Sequence, residues 1–345
     1  MVRNSWVVCP IVLLCVLMLM AVAFGQQQSP PGAAAPEQPK GLPPLAVPKE
    51  NPLTPAKVEL GKMLYFDRRL SSDGTIACAT CHDPQKAWAE HEPTSTGIHK
   101  QIGSRNAPTI INAAHMPLMF WDGRMKTLEE QALGPIENPI EMGMKMELVV
   151  ENLRKVPEYQ KRFKEVFGTD VTKEGVAQAI AAFERTILSG DTPYDCYDAG
   201  DKNALTEVQK RGMEIFMNTG QCATCHSPPV FSNGRFYNAG VDAEKKEPDT
   251  GRKKVTNNDK DMGSFRVPHL RNVADTGPYF HDGSASKLEE AVRLMARGGK
   301  DNPNLSPTLK SVREANLSDE NIKELVEFLK TLSGKYPIVE PPKLP

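Results

Sequence analysis

Neither sign of charge predominates in this chain of 345 residues. Its 42 Lys and Arg residues nearly balance 43 Asp and Glu residues, which gives a formal net charge of −1. The charge balance gives no support to nucleic-acid binding, and no nucleic-acid partner is expected. Aromatic residues make up only 6% of the chain, and no sustained polar–apolar alternation appears, so strands should be few and short. With 39% hydrophobic residues, the chain is long enough for two globular cores.

Cysteine is also sparse, yet four of the seven cysteines lie in two identical pentads, Cys78-Ala79-Thr80-Cys81-His82 and Cys222-Ala223-Thr224-Cys225-His226. A lone Cys-x-x-Cys more often binds zinc or forms a redox dithiol. Neither pentad has a second ligand pair or a thioredoxin-like strand nearby. A histidine directly after the second cysteine is typical of covalent haem attachment, with the histidine as iron ligand. The pentads therefore predict two covalently bound haem c groups, ligated by His82 and His226.

The N-terminal segment is typical of an export signal. Arg3 precedes an almost wholly apolar stretch at residues 7–24, and Ala23-Phe24-Gly25 offers a small-x-small cleavage site. The alternative is an uncleaved membrane anchor, because the apolar stretch approaches the length of a span. No charged stop-transfer flank follows, which favours a cleaved signal peptide over residues 1–25 and a periplasmic protein. The two cysteines inside this segment leave with it, and Cys196 is expected to be a partly buried thiol without a function.

The remaining chain divides into an arm and two halves. Residues 26–55 are rich in Pro, Gln and Ala and predict a tether or wrapped arm. A boundary near Gly200 separates an N-terminal haem domain, residues 56–200, from a C-terminal haem domain, residues 201–345. Apolar spacing and capping residues predict helices over residues 55–65, 173–188, 206–217, 287–296 and 319–332. The expected fold is mostly α, with two c-type cytochrome domains and few short strands.

The ligand on the second face of each iron decides what each haem does. Met295, on the predicted helix 287–296, is the candidate in the second half, since a thioether ligand raises the reduction potential; otherwise it is core filler. In the first half, His91, His99 and His115 are candidates. We favour His99, which lies in a glycine-flanked stretch and would suit a removable ligand. An open or weakly held site admits peroxide.

From about Leu45 onwards the chain resembles the bacterial dihaem cytochrome c peroxidases, within the wider group that includes the MauG-type enzymes. Apart from the pentads, the resemblance rests on seven segments in order: Leu60-Gly61-Lys62-Met63-Leu64-Tyr65-Phe66-Asp67, Arg105-Asn106-Ala107-Pro108-Thr109, Phe120-Trp121-Asp122-Gly123-Arg124, Glu130-Gln131-Ala132-Leu133-Gly134-Pro135, Asn138-Pro139-Ile140-Glu141-Met142, Leu270-Arg271-Asn272-Val273 and Gly277-Pro278-Tyr279-Phe280-His281-Asp282-Gly283. So many ordered matches over nearly the whole mature chain make the resemblance specific.

The resemblance implies a role for each matched residue. Glu141 matches the acid/base carboxylate of the peroxide site, a group that moves a proton between the two peroxide oxygens. Gln131 matches the amide beside it, and Trp121 the tryptophan placed between the haems as an electron path. His82 would ligate the low-potential, peroxidatic haem. Met295 would ligate the high-potential haem; MauG-type enzymes carry a tyrosine there.

Two further implications concern calcium and the distal histidine. Asn106, with the backbone carbonyls of Thr276 and Pro278, matches the residues that place a calcium ion between the domains, and these are the hard oxygen ligands that calcium prefers. Counted without gaps, the family's switch histidine falls on Ile98, one place before His99. If His99 is not a ligand, the first site is open in the oxidised enzyme and needs no reductive activation.

The resemblance predicts a periplasmic cytochrome c peroxidase that reduces hydrogen peroxide to water. Electrons would come from a small cytochrome c or cupredoxin and pass from the high-potential haem to the peroxidatic one. Family members of this kind are generally homodimers. Two alternatives stay open: a MauG-like enzyme that oxidises a protein substrate, and a dihaem electron carrier without catalysis.

Overall fold

The computed structural model describes residues 38–345, and almost all of the regular structure in this range is helical. The predicted signal peptide and the first part of the arm lie outside the described residues. The α-helices are α1 (Pro55–Tyr65), α2 (Cys78–Cys81), α3 (Leu128–Glu137), α4 (Met146–Arg154), α5 (Pro157–Phe167), α6 (Lys173–Glu184), α7 (Pro193–Asp198), α8 (Glu207–Glu214), α9 (Lys253–Thr256), α10 (Leu288–Ala296), α11 (Pro307–Glu314) and α12 (Asp319–Lys330). Two short strands, β1 (Phe236–Tyr237) and β2 (Phe265–Arg266), pair antiparallel. The expectation of a mostly α fold with few short strands is confirmed.

The core of the N-terminal half forms where α1 crosses α6. Thr54 caps α1 by accepting a hydrogen bond from the Lys57 backbone N–H at 3.3 Å, and Pro55 at the first helical position preorganises the turn. At the crossing, a Cβ on Gly61 would lie 1.9 Å from the Ala179 carbonyl oxygen. Only glycine lets the two helix backbones approach this closely. Around the crossing, Tyr65, Trp88 and Phe183 pack edge to face or tilted against one another.

The C-terminal half repeats this arrangement with α8 and α12. A Cβ on Gly212 would lie 2.0 Å from the Glu324 carbonyl oxygen, so α8 again depends on a glycine at the crossing. Phe216, Phe231 and Phe328 form the aromatic cluster beside it. Glu324 and Phe328 lie 145 residues after Ala179 and Phe183, which make the matching contacts with Gly61. The two helix pairs are therefore two copies of one packing unit.

A second stretch of chain is also duplicated. Residues 105–132 and 265–292 follow the same path, and each leads into a helix, α3 or α10. Left-handed backbone conformations recur at positions 160 residues apart: Asn112 and Asn272, Phe120 and Phe280, Gly123 and Gly283. The one-pair bridges between Met119 and Met125 and between Tyr279 and Ala285 recur at the same interval. The structure thus contains an internal duplication of the backbone.

The two copies meet across reciprocal backbone hydrogen bonds. The Asn106 N–H donates to the His281 carbonyl at 2.7 Å, and the Arg266 N–H donates to the Trp121 carbonyl at 2.8 Å. Asn106 and Arg266 occupy equivalent positions of the duplicated stretch, as do Trp121 and His281, so the junction has approximate twofold symmetry. An ion pair between Arg105 and Asp249, 2.7 Å long, adds a charged contact there.

The described end of the predicted arm, residues 38–54, lies against the rest of the chain. The Arg271 guanidinium donates to the Gly41 carbonyl at 2.5 Å. The buried Asn51 amide donates to Glu129 at 2.7 Å and to the Gln178 carbonyl at 2.9 Å. In residues 38–345 no helix combines the length and the apolar character that a membrane crossing requires.

The predicted helices match the observed ones at their starts more closely than at their ends. α1 covers the predicted residues, whereas α6 ends at Glu184 although the apolar period continues to residue 188. The extra apolar residues, Ile187 and Leu188, are buried in the turn after the helix. The helix predicted to Met217 ends as an α-helix at Glu214 and continues as a π-turn over Ile215–Thr219.

Candidate active site

Residues of both pentads line one continuous cavity of about 1230 Å³. A single small-molecule site is typically about 300–1,000 Å³, so the volume is suited to more than one large group. The cavity wall includes all four pentad cysteines and both pentad histidines: Cys78, Cys81, His82, Cys222, Cys225 and His226. The duplicated halves thus present their attachment motifs to one shared interior.

Both pentad histidines are prepared to ligate a metal. The Nδ1 atom of His226 lies 3.1 Å from the Phe231 carbonyl oxygen, so this nitrogen donates to the backbone and Nε2 is left for the iron. Burial lowers the pKa of His82 and of His226 to about 4. At neutral pH both imidazoles are therefore uncharged, which is the form that binds metal ions.

A buried cation supports the fit to haem. Arg266 is only 8% exposed and lines the cavity, and burial lowers its pKa to about 10. Within residues 38–345 its Nη1 atom has no hydrogen-bond partner. Its Nε donates to the Phe120 carbonyl at 3.3 Å, but a buried positive charge without a carboxylate partner is costly, and a haem carries two propionate carboxylates that satisfy such a group. Neutral histidines, paired thiols and this cation together fit two haem c groups.

The carboxylate and amide expected at the peroxide site both line the cavity in the first half. Gln131 lies on α3, and Glu141 follows the turn after that helix. The Asn138 amide donates to Glu141 Oε1 at 2.7 Å and orients the carboxyl group. Burial raises the pKa of Glu141, although the Arg124 charge and the Asn138 hydrogen bond oppose the rise. A carboxyl group whose pKa is shifted upwards is suited to take up and release a proton.

Arg124, which the sequence reading passed over, is fixed beside this carboxyl group. Its guanidinium carbon lies 3.4 Å from the centroid of the Phe120 ring, and Nη1 lies 3.0 Å from Asp122. Arg124 also lines the cavity. A ring and a carboxylate thus hold a positive charge near the place where the chemistry is expected.

Trp121 lies at the junction of the two halves. Its indole Nε1 donates to the Asn106 carbonyl at 2.9 Å, and its own carbonyl accepts from the Arg266 N–H at 2.8 Å. The residue lines the shared cavity. The structure therefore fixes Trp121 in the region where the walls of the two halves meet.

The ligand helices of the two halves differ at one decisive position. Met295 on α10 lines the cavity, as the ligand hypothesis requires. Because α3 and α10 begin at equivalent residues, the position of Met295 corresponds to Pro135 in the first half. Proline has no donor atom in its side chain, so this helix offers no counterpart to the thioether.

The structure does not bring His99 to the first site. Its side chain is 68% exposed, with Nδ1 lying 3.6 Å from Asp73, and it is not part of the cavity wall. The preceding Ile98 is buried and its N–H donates to the Glu141 carbonyl at 2.9 Å. A Cβ on Gly97 would lie 2.0 Å from the Ile140 carbonyl. This close anchoring turns Ile98 inwards and His99 outwards, contrary to our expectation.

The other two candidate histidines do not line the cavity either. His91 Nε2 lies 3.0 Å from the Asp275 carbonyl. His115 is half-buried, and its Nε2 has no hydrogen-bond partner within residues 38–345. Cys196 is exposed rather than partly buried as predicted, because it lies on the outward face of the six-residue helix α7.

The residues expected to hold calcium all line the cavity: Asn106, Thr276 and Pro278. The Asn106 Nδ2 atom donates to the Glu92 carbonyl at 2.9 Å, which leaves Oδ1 as the potential ligand. No cluster of three or more His, Cys, Asp or Glu side chains suited to a metal ion occurs in the part of the chain that the structure describes. A cation here would depend mainly on neutral oxygens.

Comparisons with known proteins agree with this geometry. Residues 55–203 match the family model described as di-haem cytochrome c peroxidase, and residues 209–333 match the one described as cytochrome c. The cytochrome c551 peroxidase of Nitrosomonas europaea is 39% identical over 331 residues, which cover 95% of this chain and 93% of the relative. The methylamine utilization protein MauG of Methylorubrum extorquens is 38% identical over 302 residues, 86% of this chain and 84% of the relative. The crystal structure of a MauG-like protein associated with microbial copper homeostasis superposes with a TM-score of 0.77, at 31% identity, over 87% of this chain and 95% of that one.

Proposed function

The chain belongs to the bacterial dihaem cytochrome c peroxidase and MauG family, and from this premise we propose that it reduces hydrogen peroxide to water in the periplasm. Membership makes it an oxidoreductase with two haem c groups that acts on peroxide with a redox donor. The proposal adds the compartment, the electron route and the residues that move the proton.

One observation carries the proposal: the two sites present different side chains from equivalent helices. In the first half, Gln131 and Glu141 reach the cavity and Pro135 stands where a ligand would be. In the second half, Met295 stands at that position and Ala291 replaces Gln131. An open site with a proton-transfer group beside a site closed by sulfur is the arrangement that peroxide reduction needs.

The haem of the first half would be held by Cys78, Cys81 and His82, and that of the second by Cys222, Cys225, His226 and Met295. When bound, the first haem supplies the iron that takes up peroxide and the electrons that split the O–O bond. The overall reaction consumes two electrons and two protons and yields two waters. The protein's task is to place peroxide and move protons.

Glu141 carries out the proton transfer. Its carboxylate accepts the proton from one peroxide oxygen and returns it to the other, which makes the departing oxygen a water. The Gln131 amide orients the bound oxidant. Because burial raises the pKa of Glu141, the carboxylate form grows as pH rises through that raised value. Turnover should rise over the same interval.

Electrons enter from a small soluble redox protein, a cytochrome c or a cupredoxin, on the Met295 side. Trp121 connects the two halves, since its carbonyl accepts from the Arg266 N–H of the second half. Its indole donates to Asn106, whose own N–H donates across the junction to the His281 carbonyl. A calcium ion on Asn106, Thr276 and Pro278 would stiffen the same junction. We also propose a homodimer; the exposed Ile102 and Ile140, 73% and 40% accessible beside the first site, offer apolar surface for it.

The outward position of His99 supports an enzyme that needs no prior reduction. If no protein ligand binds the open face, as the outward position of His99 indicates for residues 38–345, the oxidised protein should react with peroxide directly. Stopped-flow mixing of fully oxidised protein with peroxide tests this. Reaction only after half-reduction would contradict it and restore a ligand switch.

The MauG-like alternative is supported by the similarity to MauG of Methylorubrum extorquens. Met295 argues against it, since the resemblance implies a tyrosine at that position in MauG-type enzymes. Donor-dependent peroxide turnover without oxidation of a protein substrate would favour the peroxidase.

The decisive test replaces Glu141 by Gln, which preserves shape but removes the base. We expect turnover to fall by about 10²–10⁴-fold, while the absorption spectra of both haems stay nearly unchanged. Glu137→Gln is the matched control, because Glu137 is an exposed carboxylate at the end of α3, four residues before Glu141. Unchanged turnover in Glu141→Gln would remove this residue from the mechanism.

A further inference from the structure

A second buried carboxyl group faces the first haem site and is not used in the mechanism above. Glu184, the last residue of α6, is 5% exposed and lines the cavity. Within residues 38–345 no group donates a hydrogen bond to its carboxyl oxygens. The adjacent Arg185 is occupied by Glu129, with contacts of 2.7 and 2.9 Å. Glu184 therefore has polar atoms directed at the space that the haem occupies and no protein partner for them.

Glu184 lies beside the attachment point of the first haem. Burial, and after it the charge of Glu184, raises the pKa of the Cys78 thiol. Burial, Cys78 and Glu184, in that order, raise the pKa of Tyr65. The carboxyl group is thus close enough to Cys78 for its charge to act on the haem edge there.

The groups around Glu184 leave the pKa of its carboxyl group near neutral pH. The titratable neighbours of Glu184 are Tyr65 from α1, Cys78 from the first pentad, Glu129 from α3 and Arg185 from α6 itself. The charged side chains of α4 are exposed. Burial raises the pKa of Glu184 to about 8; the charge of Arg185 opposes this rise, and the charge of Glu129 adds to it. Positive charge appearing or disappearing at the haem would move this equilibrium across neutral pH.

The second half has no such group. The helix crossings at Gly61 and Gly212 set the register, in which Ala179 matches Glu324 and Phe183 matches Phe328. Glu184 then corresponds to Leu329, which is 5% exposed and also lines the cavity. The duplication therefore keeps the position and replaces a carboxyl group by an aliphatic side chain.

We propose that Glu184 binds a proton when the site held by Cys78 and Cys81 is reduced, and releases it on oxidation. One electron from the redox donor removes one positive charge, and one proton from solvent forms one O–H bond on the carboxylate, so the net charge of the buried site is kept. The first reduction potential then depends on pH through Glu184, and the second has no equivalent dependence. This inference needs haem at Cys78 and Cys81 but does not depend on peroxide being the substrate.

The test is a spectroelectrochemical titration of the dihaem protein at several values between pH 6 and pH 10. In the unaltered protein, the potential of the first haem should fall as pH rises. Glu184→Gln should reduce this slope and give a more positive potential at high pH, with little change at pH 6. Glu324→Gln is the matched control: Glu324 is buried on the equivalent helix but is bound to Arg211 at 2.6 Å and does not line the cavity. It should leave the slope unchanged.

A slope in Glu184→Gln equal to that of the unaltered protein would overturn the inference. Redox-difference infrared spectroscopy of the unaltered protein near pH 8 gives a second check that does not require the variant. Reduction should produce a protonated-carboxyl C=O band, and its absence would also overturn the inference. Loss of peroxide turnover in Glu141→Gln, while the potential of the first haem keeps its dependence on pH, would separate the proposed peroxide reduction from proton binding by Glu184.

Discussion

The two halves of the molecule share a backbone and differ at the side chains that face the cavity. Four equivalent pairs carry most of the difference: Trp121 and His281, Gln131 and Ala291, Pro135 and Met295, and Glu184 and Leu329. In the last three pairs the first half has two polar side chains and a proline on α3, whereas the second half has two aliphatic side chains and a thioether. The comparison shows that one backbone, fixed by helix crossings at glycines and by left-handed turns, can be duplicated while the cavity-facing side chains are changed one at a time.

The pair at the junction shows how thoroughly one copy was changed. Trp121 donates its indole N–H to the Asn106 carbonyl. His281, in the same place of the second copy, stacks on Phe265 with ring centroids 3.7 Å apart and lies 3.4 Å from Asp242. The indole extends an aromatic surface at the cavity wall, while the imidazole is used in a local polar contact. Only one half therefore contributes a large aromatic side chain to the shared interior at this position.

The largest effect should come from removing the sulfur that distinguishes the second site. Met295→His replaces the thioether by a second imidazole beside His226, so the second reduction potential should fall by a sizeable part of the roughly 0.8 V that axial ligands span. With the potential gradient reduced, peroxide turnover should fall with it. A potentiometric titration measures the first effect and a steady-state assay the second.

Met295→Leu is the companion variant, because it removes the sulfur without supplying another ligand. It should produce a second high-spin haem, whereas Met295→His should stay low-spin. If both variants keep the original potential and spin state, Met295 is core filler and the two sites are more alike than their helices indicate.

The glycine crossings give the next effect, and here the halves should behave alike. Gly61→Ala and Gly212→Ala place a Cβ 1.9 and 2.0 Å from the backbone carbonyls of Ala179 and Glu324. Backbone atoms in packed helices cannot move aside easily, so each substitution should lower the free energy of unfolding by about 2–3 kcal/mol. Denaturant unfolding of the dihaem protein measures the change.

Gly134→Ala is the matched control for these crossings. Its Cβ would meet only the edge of the Phe120 ring at 3.0 Å, and alanine is favoured over glycine inside a helix by about 1 kcal/mol. Its effect on stability should therefore be small. Equal costs at all three positions would mean that the close approach of α1 to α6 and of α8 to α12 is not what the glycines provide.

The sequence predicted those features that have local signals. The helices that begin after Thr206 and Ser318 and the helix that carries Met295 each depend on a few neighbouring residues, and each begins where expected. The direction of His99 has no such local signal, because neighbouring residues in the short turn Ile98–Lys100 point to opposite sides and His99 itself has a left-handed backbone conformation. That direction is set by the contact of residues 97 and 98 with Ile140 and Glu141, which no local pattern reports.

Glu184 was missed for a related reason. The apolar stripe of α6 names Val176, Ile180 and Phe183 as buried, and a glutamate next to them looks like an ordinary helix-end residue. Its burial comes from α1, which packs against α6, and from the first pentad in the cavity wall, and both are more than 100 residues away in the chain. Comparison of the two halves would have identified the position, but the matching register is visible only once the crossings at Gly61 and Gly212 are known.

The smallest effect concerns the starts of the two ligand helices. The Thr127 hydroxyl caps α3 by accepting a hydrogen bond from the Glu130 N–H at 3.1 Å. The equivalent residue before α10 is Lys287, whose side chain makes no cap hydrogen bond. Thr127→Ala should lower the free energy of unfolding by about 1 kcal/mol, and Lys287→Thr should raise it by about 0.5–1 kcal/mol. Both residues are exposed, so neither change disturbs the core, and paired denaturant titrations can resolve them. A loss of stability in Lys287→Thr would mean that Glu290, which accepts from the Ser286 and Lys287 N–H groups at 2.9 and 3.1 Å, already satisfies this helix start in its own way.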